Sequence, residues 1–274
     1  KHLRKNTGFT GKTVGALANL LLFLVNKKIE IRMEKLGIDI GGSAIKGTIV
    51  NIETGKYVQE RFRIATSQPA SIEETINTVK KLVEHFGWKG EIGCGFPAVV
   101  HNGIIKTAAN IDKAFIGVNA NQLFSEATGC AVNVVNDADA AGYAELNFGK
   151  IKNYRGFAIF LTIGTGIGSA LFNKGNLIPN SELGHIFMKN GLKGEKFTSD
   201  GVRKREDLSW SEWGKRFNAY LLYLEKLFYP DLFIIGGGTS KKFDKFESEL
   251  TLNTPIVPAT LLNDAGIIGA AMFA

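Results

Sequence analysis

A chain of 274 residues, 45% hydrophobic and 22% charged, has the composition of an ordinary globular protein and room for one large domain or two of common size. Its two cysteines, Cys94 and Cys130, exclude a disulfide framework and a thiolate-rich zinc site, and they suit a reducing, cytoplasmic compartment. The net charge of +7 suggests an anionic partner, but residues 1–32 carry +6 of it and the remainder +1, so a nucleic-acid reading from charge fails.

Residues 1–32 differ from the rest. "ALANLLLFLV" is apolar over ten positions, too short to span a bilayer as a helix. A basic start before an apolar run mimics a signal peptide, yet "NKKIEIRMEK" follows where small residues would mark cleavage. The expectation is that Met33 is the native start and 1–32 is translated upstream sequence or a cloning remnant. "GFTGKT" is no phosphate loop, because the first glycine of G-x-x-x-x-G-K-[ST] would fall on Asn6.

From Met33 on, "KLGIDI", "AIKGTIV" and "VQERFRIAT" alternate or run apolar between turn residues and predict three consecutive antiparallel strands. "SIEETINTVKKLVEHF" predicts a helix with Ser71 and Glu74 as a capping box and Ile72, Ile76, Val79, Val83 and Phe86 at helical spacing. "EIGCGF" reads as a buried strand, "NANQLFSEATG" as a helix ending at Gly129, and "AVNVVN" as a further strand. The alternation predicts an α/β fold with a partly parallel sheet.

The second half repeats the theme. "GFAIFLTIGTGIGSALFN" is strand, glycine turn, strand; at an offset of 123 residues Ile163 falls on Ile40 and Gly164 on Gly41. "SWSEWGKRFNAYLLYLEKLFY" predicts a long helix with Trp213, Phe217, Tyr220, Leu224 and Leu227 on one stripe. "DLFIIGGG" is a strand running into a glycine turn, and "NDAGIIGAAMFA" a closing apolar helix. The expectation is two similarly folded domains around a cleft, 33–136 and 137–263, with the closing helix 264–274 packed on the first.

Three glycine turns, at Gly41–Gly42, Gly164–Gly166–Gly168 and Gly236–Gly238, point to phosphate, since glycine lets backbone N–H groups approach an anion and adopt positive φ. Asp39 beside the first turn would repel a phosphate unless a cation lay between. It is therefore read as organising Mg²⁺ through water, or else as a turn cap. Lys46 could neutralise phosphate or extend from its strand. Asp137 ends an apolar strand, where ligands of α/β folds sit; it is either an N-cap or a general base at the junction of the repeats, with Asp139 solvent-exposed behind it. In "NSELGHIF", Glu182 and His185 lie three apart, a spacing that suits a metal half-site, a shared proton or a grip on a polar ligand. With four histidines and no second E-x-x-H, the metal alternative weakens.

The stretches "DIGGSAIKG", "GFPA", "NDADAAG", "TIGTGIGSA", "ELGH" and "IIGGGTS", in this order, resemble the ROK sugar kinases. "TAANIDKAFIGVN", "REDLSWSEW", "PDLFIIGGGTSKK" and "TPIVPATLLNDAGIIGAA" look like the polyphosphate glucokinase subgroup, and the resemblance spans Met33 to Ala274. It implies an actin-like, ribonuclease-H-like two-domain fold with an interdomain cleft. It implies Mg²⁺-dependent transfer of a phosphoryl group from inorganic polyphosphate or ATP to the 6-hydroxyl of glucose, or of mannose, by a homodimer without nucleic-acid or membrane partners. Asp137 becomes the base. Asn110, Asn136, Glu182 and His185 surround the sugar, and Gly95 to Pro97 line its pocket. Asp39, Gly41, Gly42, Ser43, Lys46, Thr162, Gly164, Thr165 and Gly166 face the phosphates, and Gly236, Gly237 and Gly238 lie near the adenosine.

One departure stands out. Many ROK kinases follow the Glu-x-Gly-His stretch with a cysteine-rich zinc motif, whereas "GHIFMKNGLKGEKFTSDGVRKRED" has no cysteine. That fits the polyphosphate subgroup and a chain without a zinc site. It also removes the family's second sugar-contacting glutamate, for which Glu195 is a weak substitute. The segment is basic, and Lys189, Lys193, Lys196, Arg203, Lys204 and Arg205 are the expected polyphosphate strip. The alternatives are an ATP-only ROK hexose kinase, a sugar-sensing ROK regulator, and an actin-like filament protein.

Overall fold

In the computed structural model, which describes residues 33–66, 70–109 and 111–274, the first glycine turn joins β1 (Glu34–Ile40) to β2 (Ala44–Asn51). The expectations for residues 1–32 and for Asn110 fall outside the described residues. Residues 35–274 make one compact unit. Of the third predicted strand, 58–66, only β4 (Phe62–Ala65) forms; a separate two-residue strand, β3 (Lys56–Tyr57), precedes it, and both are antiparallel to β2. Between them the Thr48 hydroxyl donates to the Gln59 carbonyl at 2.8 Å, so a side chain replaces a rung of the ladder.

Helix α1 (Ile72–His85) begins at Ser71, whose hydroxyl accepts from the Glu74 N–H at 3.2 Å and donates to the Glu74 carboxylate. Next come β5 (Ile92–Phe96), buried on both faces, and the short hairpin β6 (Val100–His101) and β7 (Ile104–Ile105). Helix α2 (Ala120–Thr128) is capped by Asn119 and ends at Gly129, whose φ of 69° a side chain would disfavour. Strand β8 (Val132–Asn136) then leads directly into α3 (Asp137–Phe148). The first sheet has the order β3-β2-β1-β5-β8, with β4 also on β2.

The second half holds β9 (Ala158–Ile163), β10 (Ile167–Asn173), β11 (Asn176–Ile178), α4 (Gly194–Thr198), α5 (Asp200–Arg205) and α6 (Trp210–Phe228). It closes with β12 (Leu232–Gly237), β13 (Ile256–Pro258) and α7 (Ala265–Met272). Its sheet runs β11-β10-β9-β12-β13, strand for strand the order of the first sheet. The repeat seen at an offset of 123 residues is thus a repeat of topology.

Alternation along the strands explains the packing. In β9, Ile159, Leu161 and Ile163 face α6, while Ala158 and Phe160 face the layer formed by α3 and α7. That middle layer touches both sheets, through Val50 on one side and Phe160, Phe172 and Ile234 on the other. Close approach demands small residues. A Cβ on Gly37 or Gly93 would run into the backbone of α7, and one on Gly269 into the Ala140 carbonyl. On α6 the predicted stripe buries Trp213, Phe217, Tyr220 and Leu224, but Leu227 lies 52% exposed, and Phe228, four residues after Leu224, packs on the core in its place.

Candidate active site

Parallel pairing fixes three strand ends side by side. Asp39 of β1 is level with Gly95 of β5, and Gly95 with Val135 of β8, so Asp39, the Phe96–Pro97 turn and the β8–α3 junction share one edge of the sheet. Gly95 leaves its Cβ position 3.6 Å from the Asp137 Cα, which is how close β5 comes to α3.

At that junction Asn136, not Asp137, is the N-cap. The Asn136 Oδ1 accepts from the N–H groups of Ala138 (2.9 Å) and Asp139 (3.0 Å), and its Nδ2 donates to the Ala98 carbonyl at 3.0 Å. The Asn136 amide is therefore largely spent on holding α3 against the loop after β5. Asp137 opens the helix, half-buried, with Oδ1 accepting from the Ala138 N–H at 2.8 Å. Burial, and then the negative charge of Asp39, push its pKa up to about 7, with smaller contributions from Glu182 and Asp139. Such a carboxyl is poised to take a proton near neutrality.

Asp139 is not solvent-exposed as expected: it is 2% exposed, and burial raises its pKa to about 7. Its Oδ2 accepts from the Asn180 N–H at 2.7 Å. Asn180, with φ 62°, in turn binds the Val100 N–H and carbonyl through its side-chain amide at 2.9 Å each. Asp139 and Asn180 thus tie the loop after β5 to the segment carrying Glu182. Neither residue figured in the expected site. The only local signal is that asparagine tolerates the left-handed region better than other side chains.

Glu182 and His185 do meet, but not on an α-helix. Leu183–His185 is a 3₁₀ turn with Glu182 just before it, a geometry that eclipses positions three apart. His185 Nδ1 lies 3.4 Å from Glu182 Oε2, and His185 Nε2 lies 4.0 Å from Glu195 Oε1. Burial raises the Glu182 pKa, and the neighbouring His185 partly offsets this. Glu195, carried by α4, is 9% exposed and reaches the second glycine turn, where a Cβ on Gly166 would lie 2.7 Å from its Oε2. Glu195 therefore stands beside both His185 and the second glycine turn. Among the described residues no three His, Cys, Asp or Glu side chains group to hold a metal.

The glycine turns differ in what they require. Gly41, Gly164 and Gly166 avoid positive φ, contrary to the sequence expectation; Gly237 does not, with φ 75°. Gly41 N–H closes its turn on the Ala44 carbonyl, and Gly164 N–H on the Gly166 carbonyl, at 3.0 Å each. A Cβ on Gly164 or Gly238 would meet nothing within 4 Å, so the space before both backbones is open. Helix α5 props the second turn from behind, its Gly201 N–H donating to the Gly164 carbonyl at 3.1 Å. Register sets Gly236 level with Thr162 and Gly237 level with Ile163, which brings the second and third turns together. Ser43 and Thr165 lie exposed at the tips of the first two turns, and Lys46 donates to Asp39 Oδ2 at 2.9 Å. The basic strip is partly compensated: Arg203 and Lys204 share Asp200, and Arg205 shares Glu206 with Arg216. Arg203 also stacks over Trp210, 4.2 Å from the ring centre.

No helix among the described residues is long and apolar enough to cross a membrane. The sequence pattern of the ROK family matches residues 35–203. The polyphosphate glucokinase of Mycobacterium tuberculosis is 45% identical over 237 residues, 86% of this chain and 89% of that protein. The crystal structure of the inorganic polyphosphate/ATP-glucomannokinase from Arthrobacter sp. strain KM is 42% identical with a TM-score of 0.84, covering 87% of this chain and 97% of that one. A ROK family glucokinase from Streptomyces griseus, 23% identical with a TM-score of 0.73 over 88% of this chain and 98% of its own, shares the fold. The architecture is the actin-like two-domain fold of the sugar kinases, and the chain belongs to the ROK family.

Proposed function

We propose that the protein is a glucokinase that transfers a phosphoryl group from inorganic polyphosphate or ATP to the 6-hydroxyl of glucose. The observation that carries the reading is Asp137, a carboxyl with a pKa near 7 at the shared strand edge, faced by the charges of Asp39 and Glu182. The relatives' names supply the donor and acceptor.

In this reading Glu182, His185 and Glu195 grip the sugar hydroxyls, with the Gly95–Pro97 turn and Asn110 lining the pocket, and Asn136 acts mainly by holding Asp137 in place. The free side of the Asp137 carboxylate accepts the proton of the 6-hydroxyl as its oxygen bonds to phosphorus. The bond from phosphorus to the bridging oxygen breaks, and that oxygen leaves with ADP or the shortened polyphosphate. The turns at Gly41–Ser43 and Thr162–Gly166 hold the transferred phosphate, and Gly236–Gly238 lie beside the nucleoside of ATP. Phosphoryl transfer depends on such positioning and on charge neutralisation.

The donor set suits Mg²⁺. It offers one half-buried carboxylate, Asp39, with Asp137 within its electrostatic reach and no three-ligand protein cage among the described residues. That is how a cation carried on phosphate and water is held. When bound, Mg²⁺ supplies neutralisation of phosphate charge. Mannose as a second acceptor, a homodimer, and domains of 33–136 and 137–263 with the closing helix on the first belong to the same proposal.

An assay of glucose and mannose against ATP and polyphosphate tests it. The expected result is sugar 6-phosphate from glucose with polyphosphate. Turnover with ATP alone supports the ATP-only hexose kinase, and no turnover with any donor supports the sugar-sensing regulator.

A further inference from the structure

We propose that a long polyphosphate donor trails from the glycine turns along a basic strip on the edge of the first sheet and into a cavity beside Asp264. This rests on the polyphosphate reading above and places the polyanion on a different strip from Arg203–Arg205, which share Asp200 and Glu206 with one another and with Arg216.

The strip follows from register. Pairing of β2 with β4 sets Lys46 level with Arg63, and Arg61 stands two residues before Arg63, just outside β4. Lys46 touches Asp39, so the strip starts at the first glycine turn. It ends at Arg61, which pairs with Asp264 at 3.2 Å. There a cavity of about 530 Å³ opens, lined by Lys56, Tyr57, Arg61, Lys241, Thr260 and Asp264 among others.

Chain and cavity are continuous. Asp264 stands two residues before Gly266, whose Cβ position is 3.2 Å from the Asp39 carboxyl carbon. The far wall is held firmly, because the buried Glu145 carboxylate accepts from the Thr260 and Leu261 N–H groups at 2.8 and 2.5 Å. Of Lys46, Arg63, Arg61, Lys56 and Lys241, the ion pairs found among the described residues are Lys46 with Asp39 and Arg61 with Asp264. A donor with negative charge on every phosphate is attracted along such a path, and salt weakens the attraction. A long chain sets many charges along this path, and a donor of three phosphates sets few.

The test compares KM for long-chain polyphosphate, tripolyphosphate and ATP. The variants are Arg63→Gln/Lys241→Gln and the same pair with Arg61→Gln; the double variant keeps the Arg61–Asp264 pair intact. The expected result is a rise of about tenfold in the long-chain KM of both, with tripolyphosphate and ATP within about twofold of wild type. An unchanged preference for long chains overturns the strip alone, as does an equal rise for ATP. A wild-type protein that uses ATP but no polyphosphate overturns the donor reading and the strip together, before any variant is compared.

Discussion

Asp137→Asn lowers kcat for glucose phosphorylation by about 10²–10⁴-fold, the contribution of a positioned general base. The substitution is close to isosteric. The asparagine oxygen still accepts from the Ala138 N–H, as Asp137 Oδ1 does at 2.8 Å. The helix start is untouched, because its cap is Asn136. Replacing a carboxyl that burial already makes reluctant to ionise removes a charge rather than a packing group. Glucose affinity, measured by calorimetry, should therefore stay within a few-fold of wild type while turnover collapses. Turnover near wild type would remove Asp137 from the mechanism.

The glycine turns give the second large effect, as a contrast. Gly237→Ala forces a side chain into a left-handed position at φ 75°, with its Cβ 2.5 Å from the Ile163 carbonyl oxygen. Strain of this kind costs about 1–3 kcal/mol, and the urea midpoint should fall accordingly. Gly164→Ala meets no protein atom within 4 Å, so stability should stay within about 0.5 kcal/mol. The methyl group instead fills the space a phosphate would enter. Losing one backbone hydrogen bond to a charged group is worth about 1.5–3 kcal/mol, or roughly a 10- to 100-fold rise in donor KM. A Gly164→Ala protein with normal donor KM would show that this turn holds no phosphate.

Much of this was legible in the sequence, for physical reasons. Strands such as β5, β9 and β12 are buried on both faces and read as short apolar runs. The helices α1 and α6 carry long periodic stripes behind serine caps. Strands β6 and β7, two residues each, are too short to show alternation, and α4 and α5 are too short to show a helical stripe within a basic segment.

In the site, Asp137 was readable because strand ends in α/β folds carry ligands. The burial of Asp139 was not, since its partner is a backbone N–H forty-one positions away. Asn136 and Asp137 are both good caps and stand side by side, so only geometry decides between them. Arg203, Lys204 and Arg205 read in sequence as an open run of charge, whereas in the structure they share two carboxylates, Asp200 and Glu206, with one another and with Arg216.

The central claim is that Asp137 works as a base with a pKa near 7, and the pH dependence of kcat/KM for glucose tests it most directly. The base must be ionised to accept a proton, so activity should rise tenfold per pH unit up to about pH 7 and then level off. The inflection should be the same with polyphosphate and with ATP, and absent from the low residual rate of Asp137→Asn. A wild-type profile that is flat between pH 5 and 9, or an inflection that survives in Asp137→Asn, would contradict the account.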